Sequence, residues 1–581
     1  MISKELQHVR EFEKSESAFI AKEDRPVFHL SPRIGWLNDP NGFSFYNGEY
    51  HLFYQYHPYS SYWGPMHWGH AVSKDLINWE YLPAAMAPDT DYDGAGCFSG
   101  TAITLPDGRQ LLMYTGCGDS SRDPLGKGRW LQTQCVAVSE EQDDGSIEYV
   151  KSAGNPVICE EDLPEDCDAY EFRDPYIWRT TDGSYRALVA AGRTGEIGED
   201  GNYLHEKGTQ LILFRSDDCF KWEYDKVMFE DHRKIGVMWE CPNFFDLDGK
   251  QILIASPMDM QAEADEANGS IRFPQGSNVC CIAGEYNEET ETFSPDGTYD
   301  PVDIGLDFYA PQVMKAPDGR HIMIGWMQDP KNGRFADAKE DLSRPGLQDA
   351  LPLYNPDGYA HGPEGSHIFG QMTIPRELKY RDGKLYQWPV REFCEYRKDR
   401  LDYDGVLLKD EERSFDGISG RSIELEVEIA PHEVGAAFYR EFTIDFAKDD
   451  DHFIRLSYKP ARSLITIDRS HSGQCSEITA RRSYRAAYAD GSLSLRILID
   501  KWSAEVFVNG GEQVMSLTYY TPADAEGITF SADGTVAMDI TAYHINRGSA
   551  KIETILIYQF GNTVYKKEWI QCIINMYVAT A

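Results

Sequence analysis

Basic residues are scarce in this sequence. Lys and Arg number 56 against 95 Asp and Glu over 581 residues, a formal charge of −39. A chain so acidic repels phosphate backbones and anionic membrane surfaces, so neither nucleic acid nor membrane is expected as a partner. The last uncharged run, Trp569 to Ala581, is too short to span a bilayer. The amino terminus, Met1-Ile-Ser-Lys-Glu-Leu-Gln-His8, lacks the apolar segment of a secretory signal. Twelve cysteines include no Cys-x-x-Cys pair, no zinc spacing with histidine and no His-Glu-x-x-His. Reduced thiols, a cytoplasmic location and the absence of any metal or other cofactor are therefore expected. Helical periodicity is almost missing as well, which points to an all-β body.

Hairpin signals, by contrast, recur. Five apolar stretches run into Asn47-Gly48, Asp107-Gly108, Asp182-Gly183, Asp248-Gly249 and Asp318-Gly319. Each is followed by a strongly apolar strand, such as Leu111-Leu-Met-Tyr114 or Ile252-Leu-Ile-Ala255. The turn glycines lie 60, 75, 66 and 70 residues apart, room for four short strands per unit. Five such units predict a five-bladed β-propeller. A second repeat, Ser-x-Asp-x-x-x-Trp-Glu, starts at Ser73 and again at Ser216, in the same place of units one and three.

After about residue 400 the pattern becomes strict alternation, as in Ser422 to Ile429, which predicts a second all-β body, a two-sheet sandwich. The expected division is an N-terminal extension (1–25), the propeller (26–388), a short linker (389–400), the sandwich (401–548) and a tail (549–581). The tail is apolar-rich and is expected to pack on the sandwich or on another subunit, which leaves a homo-oligomer open.

Counting back nine residues from each turn glycine gives Asp39, Ser99, Asp174, Glu240 and Ala310. Three of five equivalent places thus hold an acid, at the start of the innermost strand where blades meet. Any one of them alone reads as ordinary turn chemistry. Their shared register favours catalysis. Asn38 and Asn41 flank Asp39 and are expected to keep it ionised, as a nucleophile requires. Glu240, between Trp239 and Cys241-Pro242, is expected in an apolar setting that raises its pKa and lets it hold a proton. Two carboxyls in contrasting environments suit glycosidic hydrolysis. Asp174 is placed to bind two adjacent hydroxyls or to balance an oxocarbenium-like charge.

The motifs Trp36-Leu-Asn-Asp-Pro-Asn-Gly42, Phe98-Ser-Gly100, Phe172-Arg-Asp-Pro175, Trp239-Glu-Cys-Pro242 and Asp307-Phe-Tyr-Ala310 resemble those of glycoside hydrolase family 32. The resemblance runs from about Pro26 to about Ile545. It implies a five-bladed propeller with a C-terminal β-sandwich, and retaining hydrolysis of β-fructofuranosyl bonds without a metal. By it Asp39 is the nucleophile, Glu240 the general acid/base and Asp174 the transition-state stabiliser. Asn38, Gln55, Trp63, Phe98, Ser99, Arg173, Tyr309 and Trp326 match positions that cradle the fructose unit. The substrate implied is sucrose, a fructo-oligosaccharide or a fructan. Fructosyl transfer, a phosphorylated sucrose and a non-catalytic sugar-binding propeller are the alternatives. An arabinan-degrading propeller is disfavoured by the Asn-Asp-Pro-Asn-Gly motif. A long loop, 327–370, departs from the pattern and is expected to narrow the cleft toward short substrates.

Overall fold

The computed structural model describes residues 2–61, 63–195, 208–231, 235–265, 270–327, 368–432, 438–473, 480–486 and 490–547, with the backbone of 557–560 and 563–566. Five sheets, each with four antiparallel strands and the first joined in parallel by Ile368–Phe369, follow one another in the order the turns predict. Their inner strands are Gly35–Tyr46, Gly96–Thr104, Cys167–Arg179, Trp239–Leu247 and Tyr309–Lys315. Each pairs with the apolar strand after its turn, and two further strands complete the blade. The repeated Ser-x-Asp motifs form matching turns into the outer strands of blades one and three. Asp75 accepts the backbone N–H of Ile77 and Asn78, and Asp218 those of Phe220 and Lys221. Leu76 and Cys219 both sit at a φ of 67° in these turns.

The five hairpins are of two kinds, and the difference matters. Blades one and four use two-residue turns with both residues left-handed: Asn47-Gly48 (49°, 85°) and Asp248-Gly249 (48°, 85°). In the other three the turn carries one residue more. There only Gly108, Gly183 or Gly319 takes the left-handed conformation, and it donates back to Leu105, Thr180 or Ala316.

Every inner strand also breaks register near its start, between Leu37 and Pro40, Phe98 and Gly100, Arg173 and Tyr176, Glu240 and Asn243, and Tyr309 and Gln312. A bulge re-aims side chains and tolerates the proline that follows in four of the five strands. The ladder places Glu240 opposite Ser256, as Arg173 is opposite Ala190 and Tyr309 opposite Trp326. Glu240 is therefore one place earlier than Asp174, and Cys241 is Asp174's equivalent. The nine-residue count slips in blade four because its turn is one residue shorter. In blade one the matching place, opposite Tyr56, is Leu37, a second bulge lies between Asn41 and Ser44, and Asp39 is one place later than Asp174. The backbone groups freed by the bulges are met by side chains, as buried polar groups must be. Gln312 donates to Gly100 and accepts from Phe43 N, and Asn243 donates to Pro311 and accepts from Val313 N.

A 3₁₀ turn, Arg391–Tyr396, leads into the second body, whose first strand begins at Arg397. Its spine is the 19-residue strand Gly527–Ile545. The first part of that strand pairs with Glu441–Lys448 and the later part with Ile423–Pro431. One long strand thus belongs to both halves of a sandwich whose core includes Leu425, Val427, Ile444, Ile497, Val506 and Phe530.

The seam between propeller and sandwich buries charge. Asp500 accepts the N–H groups of Val27, Phe28 and His29, and the His29 ring. Glu505 takes the other ring nitrogen of His29 at 2.9 Å and the Arg376 guanidinium. Arg376 reaches Asp303 at 3.1 Å, and Arg469 pairs with Asp307. The N-terminal extension forms a helix, Lys4–Glu16, capped by Ser3. It buries Leu6 and Val9 on the first blade and ties Arg10 to Glu148 and the Ala84 carbonyl. Most of the 327–370 loop and the tail's side chains lie outside the described residues.

Candidate active site

The inner-strand bulges bring Asp39, Asp174 and Glu240 together. Asp39 Oδ1 accepts from Asn38 Nδ2 at 3.1 Å, and Oδ2 from the Ser99 hydroxyl at 2.9 Å. Asn38 is itself fixed by Trp36 Nε1 at 2.7 Å. Asn41 does not reach the carboxylate. Its amide, oriented so that both ends are satisfied, accepts from Gln55 Nε2 at 2.9 Å and donates to the Ser99 hydroxyl at 3.2 Å. It therefore supports Asp39 only through Ser99. Burial pushes the Asp39 carboxyl up to about 6, the Glu240 charge adds to this, and the donors from Asn38 and Ser99 only moderate it. Of the two flanking amides expected to keep it ionised, Asn38 alone reaches the carboxylate, and desolvation outweighs its bond and that of Ser99.

Glu240 is gripped on both oxygens. Arg173 gives Nε and Nη2 to Oε1 at 3.0 and 2.9 Å, and the Tyr309 hydroxyl donates to Oε2 at 2.6 Å. The surroundings are thus polar and bidentate, not the apolar pocket suggested by Trp239 and Pro242. The register explains this. Arg173, Glu240 and Tyr309 hold the same place on successive blades, so their side chains meet.

Asp174 adopts a φ of 65°, an unusual conformation for a non-glycine residue. Its backbone N–H donates to Thr115, which is held in turn by Gln134 at 2.9 Å. Its Oδ2 accepts from Cys241 N at 3.0 Å. Burial raises its pKa; Arg173 opposes this, but the charges of Glu240 and Asp39 reinforce it. Between the acids sits the Cys241 thiol, 3.7 Å from Asp39 Oδ2 and 3.6 Å from Asp174 Oδ2. Burial and the surrounding carboxylates push this thiol far up, so it stays protonated and serves as a shared donor.

The remaining expected residues fall around this centre. Gln55 donates to the Cys97 carbonyl at 3.0 Å. The Phe98 ring stands edge-on to Trp63, with centroids 5.8 Å apart. Trp326 packs edge-on against Trp36, and its indole N–H is buried without a hydrogen-bond partner among the described residues. Sequence reasoning missed the donor role of Cys241, although it lies in a quoted motif, and it missed Trp130. The Trp130 ring stacks on Trp63 at 5.9 Å, and no turn or repeat marks it.

Three carboxyls, Asp174 buried and Asp39 and Glu240 partly so, one held by an arginine and a tyrosine and one beside a serine and an asparagine, can carry out acid-base and nucleophilic chemistry on a sugar acetal. Comparison with known proteins agrees. The sequence matches the Glycosyl hydrolases family 32 N-terminal domain over residues 29–341 and the Glycosyl hydrolases family 32 C terminal over residues 394–546. It is 32% identical to the sucrose-6-phosphate hydrolase of Escherichia coli, over 88% of this chain and 93% of that one. It is 31% identical to a raffinose invertase of Escherichia coli, over 88% and 94%. Among solved structures, a GH32 beta-fructofuranosidase of Bombyx mori superposes with a TM-score of 0.70 at 29% identity, covering 93% of this chain and 98% of that one. The propeller and the sandwich that follows it are those of a fructoside-cleaving glycoside hydrolase, and the chain belongs to glycosyl hydrolase family 32.

Proposed function

We propose that this chain releases fructose from short β-fructofuranosides by a retaining, two-step reaction in which Asp39 is the nucleophile. The observation that carries the reading is the convergence of Asp39, Asp174 and Glu240 on one thiol and one arginine at the mouths of three blades. Asp39 attacks the anomeric carbon while Glu240 gives its proton to the departing glycosidic oxygen. Glu240 then takes a proton from water, which displaces Asp39 and frees fructose. Asp174 faces the charge that develops on the ring. Arg173 and Tyr309 fix Glu240 by holding both its oxygens, so one rotamer serves both steps. Asn38, Gln55, Trp63, Phe98, Ser99 and Trp326 hold the fructose unit by their resemblance to the family's positions. The relatives named for sucrose 6-phosphate and raffinose favour small imported sugars over polymer, in keeping with a cytoplasmic enzyme.

The test is a substrate panel of sucrose, sucrose 6-phosphate, raffinose, kestose, inulin and levan, with NMR of the first-formed fructose. Release of the β anomer from a short substrate supports the reading, and the α anomer would point to inversion. Transfer of fructose to a second sugar instead of water, at millimolar acceptor, would favour the fructosyltransferase alternative.

A further inference from the structure

The segment Ile368–Gly370 joins blade five to blade one at the strand that carries Asp39. Gly35 and Trp36, which open that strand, pair in parallel with Ile368 and Phe369. Directly after the crossing, Gln371 and Met372 pair with Met327 and Trp326 of blade five. Met372 also donates its N–H to the Leu30 carbonyl at 2.8 Å. Gly370, between the two pairings, has a φ of 86°, and a Cβ there would lie 2.1 Å from the Leu37 carbonyl oxygen. The crossing runs so close to blade one that only glycine fits at this point.

The closure reaches the acid through side chains. The buried Phe369 ring lies flat on the Trp36 indole, with centroids 4.7 Å apart and planes inclined by 11°. Trp326 meets the same indole at 5.9 Å and 61°. With one ring on its face and another set across it, the indole has little freedom to turn. Its Nε1 donates to Asn38 Oδ1 at 2.7 Å, and Asn38 Nδ2 donates to Asp39 Oδ1 at 3.1 Å. An indole N–H can only donate. It therefore fixes which end of the Asn38 amide faces Trp36, and turns the NH2 end toward the carboxylate. One N–H of that amide serves Asp39, and the other remains for the sugar.

We propose that Phe369 is a positioning residue for the nucleophile, acting through Trp36 and Asn38 to keep a hydrogen-bond donor on Asp39. The proposal rests on the fructoside reading above. The other groups around Asp39 are the Ser99 hydroxyl from blade two, Asp174 and Arg173 from blade three, and Glu240 and the Cys241 thiol from blade four. Each is carried by its own strand, so loss of Phe369 removes the Asn38 bond and leaves these in place. The Asn38 bond is among those that hold the Asp39 carboxyl down against burial. Without it the acid ionises at higher pH and its aim at the anomeric carbon is less fixed.

The experiment compares wild type with Phe369→Ala, Phe369→Leu, Asn38→Ala and the Phe369→Ala/Asn38→Ala double variant. It records kcat/KM against pH on sucrose, raffinose and kestose, with Tm alongside. Phe369→Ala is expected to lower kcat/KM by about three- to tenfold on all three substrates, the size of one hydrogen bond, and to move the acid limb up by about half to one pH unit. Phe369→Leu keeps apolar bulk over the indole and should restore part of both. In the Asn38→Ala background, removing Phe369 should not move the acid limb further, because the bond it supports is already gone. A lowered Tm with an unmoved acid limb would mean that Phe369 only closes the ring, and would overturn the proposal. So would additive shifts in the double variant, or a loss confined to one substrate. Should the alanine variants fail to fold, the leucine variant carries the same pH test at smaller size. If wild type releases fructose from none of the three, the fructoside reading itself fails and the proposal falls with it.

Discussion

Asp174 in the catalytic ring, and Asp500 and Glu505 at the seam, are buried carboxyls and Asp39 is a partly buried one, yet ring and seam titrate in opposite directions. In the ring burial raises both acids, and neighbouring carboxylates add to the rise. At the seam burial also pushes upward, but His29 and backbone N–H groups hold Asp500 below its usual range, and Arg376 and His29 do so for Glu505. The difference lies in the supply of partners. At the seam Asp500 takes three backbone N–H groups and shares His29 with Glu505, which also takes the Arg376 guanidinium. The ring places one arginine among three acids and divides it between Glu240 and the neighbouring Glu171. Buried charge that is fully met fixes two bodies together. Buried charge left partly unmet is held ready for a substrate, at a cost in stability.

The sharpest way to break this contrast is to remove an acid from each place. Asp39→Ala or Glu240→Ala is expected to lower kcat by more than about a thousandfold, as for residues acting as a catalytic unit. The Tm should hold or rise, because like-charge crowding is relieved. Substrates with a good leaving group should rescue Glu240→Ala in part, since they need little protonation. Glu505→Ala should do the reverse. It leaves Arg376 and His29 buried and short of a partner, and should cost about 3–5 kcal/mol in denaturant unfolding. Turnover per folded molecule should change far less. Equal losses of activity in both variants would dissolve the distinction.

Solution pH sharpens it further. Burial alone would lower His29, but its bonds to Asp500 and Glu505 raise it to about 9. A raised histidine contributes stability that is complete below its unfolded value of about 6.5 and lost as pH climbs through the folded value. The Tm should therefore fall between about pH 6.5 and 9, and His29→Gln should flatten that slope. The smallest effect belongs to the ring. Asp39 must be ionised to attack, so kcat/KM should fall on the acid side with a midpoint near 6, and Asp39's contribution to stability should grow more favourable as pH drops through the same range. A pH–rate profile whose acid limb lies near 4 would show that hydrogen bonds, not burial, govern this acid.

The fold was legible because its cues are local. Asn/Asp-Gly pairs and alternating apolar residues announce hairpins within a few positions of themselves, and five of them at similar spacing declare the propeller. The three acids were legible by the same count, though the count placed Glu240 one residue out of register, since turn length cannot be read from the Asp-Gly pair alone. What stayed hidden was relational. Arg173 and Tyr309 close on Glu240 only because the bulges fall in register across blades. Asn41 turns to Gln55 and Ser99, not to its neighbour Asp39. Trp130 reaches Trp63 across a loop with no repeat signal, and His29 meets Asp500 from 471 residues away.

The central claim is that the partly unmet carboxylate Asp39 forms the covalent bond. The most direct measurement is mass spectrometry of the Glu240→Gln variant quenched during reaction with β-fructosyl fluoride. That substrate needs no acid to leave, while the missing base slows release of the intermediate. The account predicts a peptide containing Asp39 heavier by one fructosyl residue. An adduct on Asp174, or turnover with no adduct on Asp39, would contradict it.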